Sequence, residues 1–181
     1  MEKKNGMSLK RIVLIGPEST GKTELASMLA KEFNTIYIPE YAREYIEHLN
    51  RKYTYNDVEY IAKKQIEFEN EYQYKANKML FYDTFLIITK IWFQLVYNKV
   101  PDWIEGKIKE SKIDLFLLCN TDLPWVEDSV RENGGEKREQ LFDIYKRELE
   151  YYNFDYKIIT GVEDKRNLNA LRIVKDYLNG K

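Results

Sequence analysis

The 181-residue sequence predicts an α/β fold: a five-stranded parallel sheet with helices on both faces, plus a polar segment that acts as a lid. Three observations carry this reading. Five short apolar runs are spread along the chain, and four are rich in Val, Ile, Leu or Phe without alternation, as strands covered on both faces read. Helical periodicity fills the intervals between them, which implies right-handed crossovers between parallel strands. The first run passes into the first helix through the tight polar loop "GPESTGKT", Gly16 to Thr23.

The elements follow in order. The first strand is Arg11–Ile15, and a helix over Thr23–Phe33 follows the loop. The second strand is Thr35–Ile38. From Asp57 to Lys78, Val58, Ile61, Ala62, Ile66 and Tyr72 recur at helical spacing, and Thr54-Tyr55-Asn56-Asp57 resembles a capping box at the start of that helix. The third strand is Met79–Tyr82, followed by a helix over Thr84–Tyr97 with Phe85, Ile88, Trp92, Leu95 and Val96 on one face. Strand four is Leu115–Cys119 and strand five Tyr156–Ile159; helices are expected over Glu136–Tyr152 and Glu163–Leu178, the last stopping at Asn179-Gly180. With no repeat, low-complexity stretch or linker, residues 9–181 read as a single domain with a lid at about 124–140, preceded by a disordered segment over residues 1–8.

Composition excludes several classes. Lys+Arg 29 against Asp+Glu 30 leaves a net charge of -1, so no general attraction to nucleic acid or anionic membrane is expected. The single cysteine, Cys119, rules out an intrachain disulfide framework and points to a reducing compartment. The run "IVLIG" is too short for a signal-peptide core or a membrane span, so a cytoplasmic location without membrane insertion is expected. No histidine or cysteine cluster supports a zinc or iron site; His48 stands alone on a charged helix.

Sites of such folds lie beyond the carboxyl ends of the strands, and four motifs fall there. Gly16 to Thr23 fits G-x-x-x-x-G-K-[ST], the phosphate-binding loop of P-loop NTPases. Its glycines let backbone N–H groups curl toward phosphate oxygens, so Gly16, Glu18, Ser19, Thr20, Gly21, Lys22, Thr23 and Glu24 form the expected ATP site. Lys22 is expected to reach the β- and γ-phosphates and Thr23 to bind Mg²⁺. "MLFYDT" ends a strand on Asp83, the form of a carboxylate near magnesium, although Asp83 could also cap the helix that begins at Thr84. "PEYARE" follows the second strand: Glu40 could take a proton from a substrate hydroxyl, and Arg43 could hold a phosphate or substrate oxygen; a surface helix start with a local ion pair has the same form. Asn120 to Phe142 is dense in charge and glycine. Closed over phosphates, its Arg131 and Arg138 could neutralise transition-state charge, while an exposed loop would read the same. Trp125 could stack on a flat ring or anchor that segment. Gly161 to Asp164 follows the last strand and could pass beside an adenine.

"GPESTGKTELA", "PEYAREYI", "FYDT" and "DLPWVEDSVRENGGEKREQLF", in this order, resemble the ribosylnicotinamide kinase domain of the NadR type, a P-loop family also grouped with AAA-type ATPases. The resemblance covers roughly Leu9 to Leu178. It implies a nucleoside- and nucleotide-kinase-like fold that transfers the ATP γ-phosphate to the 5′-hydroxyl of nicotinamide riboside, giving nicotinamide mononucleotide. It also implies that Glu40, Tyr41 and Arg43, with Asp83 and Trp125, border the riboside, that Asp83 lies between magnesium and the attacking hydroxyl, and that Arg131 and Arg138 belong to the lid. Two departures stand out. Family members often read Asp-Thr-Asp where this chain has Asp83-Thr84-Phe85, and no helix-turn-helix or second nucleotide motif precedes Leu9, so DNA regulation is not expected of this chain. An ATPase, a kinase for another nucleoside or nucleotide, or a nucleotide-dependent protein-binding switch would share the phosphate loop.

Overall fold

The computed structural model describes residues 8–127 and 131–180; the expected disordered segment over 1–8 lies outside them except for Ser8, as does the middle of the expected lid. Among the described residues, the chain forms β1 (Lys10–Ile15), α1 (Lys22–Glu32), β2 (Ile36–Ile38), α2 (Tyr41–Glu47), α3 (Tyr55–Tyr72), β3 (Met79–Asp83) and α4 (Leu86–Tyr97). Then come α5 (Asp102–Glu110), β4 (Leu115–Cys119), α6 (Glu136–Tyr151), β5 (Tyr156–Ile159) and α7 (Glu163–Leu178). All strand pairs are parallel, in the order β2-β3-β1-β4-β5.

The sheet is covered on both faces because its central strands are apolar at every position. Val13, Ile15, Leu80, Tyr82, Phe116 and Leu118 point to one side, into a core completed by α3, α4, α5 and α6. Ile12, Leu14, Phe81, Leu115, Leu117 and Cys119 point to the other, against α1 and α7. Alternation therefore exists, but both sides are dry, and this is why the sequence reads as continuous apolar runs. From β1 the chain crosses toward β2, and from β3 it crosses back over β1 to β4, so a crevice opens above β1 where the direction reverses.

Three local differences from the expected elements have physical causes. The third helix ends at Tyr72, not Lys78: Asn77 N–H donates to the Thr35 hydroxyl and Lys78 adopts φ 60, so docking to the sheet ends the helix early. Asp83 does not cap the next helix. Thr84 is held at φ 79 with its N–H donated to the Leu14 carbonyl at 3.1 Å, and Phe85 takes the N-cap position. Helix α2 is the surface helix start that "PEYARE" also allowed, and α5 has no counterpart among the expected elements. The capping box of α3 is present, with Thr54 and Asp57 exchanging hydrogen bonds and Arg51 and Tyr45 completing the Asp57 shell. These bonds hold the Asp57 carboxyl well below the usual carboxylate range, the Arg51 guanidinium contributing most.

Candidate active site

The loop after β1 is fixed before any ligand reaches it. Gly16 has φ 151, and a Cβ there would lie 2.6 Å from the Cys119 carbonyl oxygen, so only glycine lets β1 and β4 end this close together. The Thr20 hydroxyl donates to the Pro17 carbonyl at 2.8 Å, and Lys22 Nζ donates to the same oxygen at 2.8 Å, spanning the mouth of the loop. Two buried arginines hold the loop from behind. Arg166 of α7, 3% exposed, donates through Nη2 to Thr20 O at 2.8 Å and Asn120 O at 3.0 Å, and through Nη1 to Gly161 O at 3.0 Å. Arg138 of α6, 6% exposed, donates to Ser19 O at 3.0 Å and Leu123 O at 2.9 Å.

A cavity of about 460 Å³ lies above this loop. Gly16 and residues Glu18 through Glu24 form one part of its lining; Tyr53, Ile88, Trp92, Leu95 and Val96 form another. Glu40, Tyr41 and Arg43 also line the cavity, as the strand-end position of "PEYARE" implies for Glu40 and Arg43 and the family resemblance implies for Tyr41. Burial raises the Glu40 carboxyl above the usual range; Lys22 opposes this and the nearby Asp83 adds to it. Tyr41 packs among Tyr45, Tyr60 and Phe68, and burial together with a hydrogen bond to Tyr60 pushes its hydroxyl up to about 12. Arg43 pairs with Glu47 at 2.9 Å across one helical turn.

Asp83 lies beneath this wall, 2% exposed, at the end of β3. Its Oδ2 accepts the Thr23 hydroxyl at 2.5 Å, while its buried Oδ1 has no hydrogen-bond partner among the described residues. Burial raises its carboxyl too, against the pull of Lys22 and of the Thr23 hydrogen bond. A loop lysine, a loop threonine and two carboxylates with raised affinity for protons thus converge from β1, β2 and β3.

The segment expected to act as a lid is hydrogen-bonded to the phosphate loop. The Glu18 carboxylate accepts Asn133 N–H at 3.0 Å, Asn133 Nδ2 at 3.1 Å and Glu132 N–H at 3.3 Å. The Ser19 hydroxyl accepts Val126 N–H at 3.1 Å. Arg131 reaches the cavity wall and donates to the Val126 carbonyl at 2.7 Å. Two of the expected lid residues are placed elsewhere. Arg138 is not on the cavity wall: its guanidinium is committed to backbone carbonyls under the loop, because it belongs to the first turn of α6 and not to a free lid. Trp125 is also off the wall, its indole against the Gly134 backbone, where a Cβ would approach its ring carbons at 3.1 Å. Sequence reasoning missed Arg166, Tyr53 and Glu132 at the site; none carries a local signal, since each acts across a long separation in the chain.

The sheet order, the loop and the converging strand ends define a P-loop nucleotide-binding fold of the nucleoside-kinase kind. A family model described as "AAA domain" matches residues 11–166, and the chain belongs to that family. The chain is 28% identical over 179 residues to the trifunctional NAD biosynthesis/regulator protein NadR of Escherichia coli (strain K12), covering 94% of this chain but 43% of that protein. It therefore spans less than half the length of that relative. Among solved structures, NadR protein in complex with NR superposes at TM-score 0.79 with 23% identity, covering 93% of this chain and 50% of that one. Deoxyadenosine kinase from M. mycoides superposes at TM-score 0.64 with 14% identity, covering 94% and 100%. These similarities place the fold among P-loop kinases.

Proposed function

We propose that this protein is an ATP-dependent kinase that phosphorylates the 5′-hydroxyl of nicotinamide riboside, yielding nicotinamide mononucleotide for NAD salvage. The observation that carries the reading is one cavity lined both by the phosphate loop and by the aromatic rings of Tyr53 and Trp92, with Glu40 on its wall. Two similarities support it: the NadR relative and the NadR structure in complex with NR. The partner in this reading is a small-molecule nucleoside, not nucleic acid or a membrane. Among the described residues no helix is long and apolar enough to cross a membrane. A cytoplasmic location, with residues 9–181 as one kinase domain, belongs to the same proposal.

Each residue has a physical task. The curled loop and α1 present N–H groups to the phosphates, and Lys22 exchanges the Pro17 carbonyl for phosphate oxygens when they arrive. The acceptor ring lies toward Tyr53 and Trp92, which brings its hydroxyl near Glu40. The hydroxyl oxygen forms the new bond to the γ-phosphorus as the bond to the β-phosphate oxygen breaks, and Glu40 receives the proton. A carboxyl raised above the usual range suits this role. Asp83 is less suited, since one oxygen is already held by Thr23 below the wall. Its unpartnered buried Oδ1, beside the Thr23 hydroxyl, fits the few protein ligands that Mg²⁺ needs next to phosphates, so Thr23 and Asp83 would hold the ion. Bound there, it would supply neutralisation of phosphate charge. Arg131 adds positive charge from the wall.

A screen of nucleoside acceptors with ATP and Mg²⁺, read by coupled ADP release and identification of the product, tests this. Turnover with nicotinamide riboside should exceed that with thymidine, uridine or nucleoside monophosphates. ATP hydrolysis that no acceptor accelerates, with no phosphorylated product, would replace the kinase by a hydrolysing switch.

A further inference from the structure

We propose that Glu132 is the specificity-determining residue that makes the acceptor end of the cavity prefer a flat ring bearing a positive charge. The inference rests on the kinase reading above and deepens it. The backbone at Glu132 is fixed on the phosphate-loop side: its N–H and that of Asn133 both donate to the Glu18 carboxylate. Its side chain extends the opposite way, and its Oε2 accepts the Tyr53 hydroxyl at 3.1 Å. Tyr53 in turn meets Trp92 edge to face, ring centroids 4.9 Å apart at 80°. All three residues line the cavity.

A carboxylate is thus placed beside two aromatic rings on the cavity wall. Of the cations on the same wall, Lys22 donates to the Pro17 carbonyl, Arg43 pairs with Glu47, and Arg131 donates to the Val126 carbonyl. A neutral ring would gain only stacking from Tyr53 and Trp92. A cationic ring gains the ring quadrupoles and the Glu132 charge together. Selectivity here is the difference between those two affinities. Glu132 is solvent-exposed, so screening keeps the effect modest and makes it sensitive to salt.

A purely structural role, in which Glu132 only accepts the Tyr53 hydroxyl, is separable from this one. Glu132→Gln keeps an acceptor oxygen and removes the charge; Tyr53→Phe removes the hydrogen bond and keeps both ring and charge. The experiment measures Kd by calorimetry, and KM and kcat by coupled turnover, for nicotinamide riboside and for its reduced, uncharged dihydropyridine form. In Glu132→Gln, affinity for the cation should weaken about threefold while affinity for the neutral analogue changes less, the difference shrinking at high salt. Tyr53→Phe should weaken both ligands alike and preserve the discrimination. Equal losses for both ligands in Glu132→Gln, or discrimination that survives in it, would overturn the assignment while leaving phosphorylation of nicotinamide riboside in place. If the unaltered protein neither binds nor phosphorylates the riboside, the kinase reading falls and this inference falls with it.

Discussion

The two ends of the cavity are built on different principles. At the phosphate end the recognising groups are backbone N–H groups on one continuous loop, and the loop is held by Arg138 and Arg166 through carbonyls of Ser19, Thr20 and Asn120. At the acceptor end the wall is assembled from side chains of α2, α3, α4, α6 and the lid segment, with Leu95 60% and Val96 49% exposed. In the proposed reading the first is chemically generic and the second would carry the selectivity. Evolution of a new acceptor would need changes only at the second.

The largest effect that could break this contrast is at the loop. Lys22→Ala should lower kcat by about 10³-fold or more, because transfer loses a preorganised cation at the developing charge. Thermal melting should stay near that of the unaltered protein, since the loop is held by the two arginines and by Gly16 against Cys119. Near-normal turnover would mean that phosphate is not held here at all.

Next comes the wall between the ends. Glu40→Gln should lower kcat by about 10²-fold, the usual scale for a general base. Its pH behaviour is distinctive. Burial and Asp83 raise the Glu40 carboxyl above the usual glutamate range, so the acidic limb of the acceptor kcat/KM profile should sit above that range and vanish in the Gln variant. The stability sign follows from the same shift. A carboxyl with a higher pKa in the folded chain favours the folded state below that pKa, and the advantage is lost as pH rises through the window from the ordinary to the raised value. Glu40→Gln should therefore gain melting temperature relative to the unaltered protein as pH rises through that window. A flat difference across pH would place Glu40 outside the buried wall.

The contrast also explains which parts were legible in the sequence. The five strands and the phosphate loop depend on contiguous residues, so apolar runs and one spacing rule located them. Helix α2 buries none of its seven residues, and its composition gave no periodic face to read. Helix α5 did carry a signal, Ile104 and Ile108 one turn apart behind Pro101, in a stretch left as connection. Strand-end logic pointed to Glu40, Arg43 and Asp83, because topology sends those positions to the crevice; Glu40 and Arg43 line the cavity, and Asp83 meets Thr23 of the loop. Arg138 was misplaced, and for Trp125 the anchoring alternative holds against Gly134, because a charge-dense stretch does not reveal which of its residues will be buried. Arg166 was invisible: its partner Thr20 lies 146 residues away.

The smallest effect tests the joint between the two ends. Glu18 belongs to the phosphate loop, yet its carboxylate faces Glu132 and Asn133 of the lid segment and accepts three hydrogen bonds from them. Glu18→Gln replaces one acceptor oxygen by an amide that points a donor at donors. At least one of these charge-assisted bonds is lost, a cost of about 1 kcal/mol in this partly exposed setting. Turnover should fall only a few-fold, roughly the factor that 1 kcal/mol represents. Amide hydrogen exchange should quicken at residues 132 and 133 while the Leu25 amide, whose N–H donates to the Gly21 carbonyl behind the loop, stays protected. If exchange instead quickens across the loop as well, the two ends form one cooperative unit. Acceptor selectivity could then not be altered without disturbing phosphate binding.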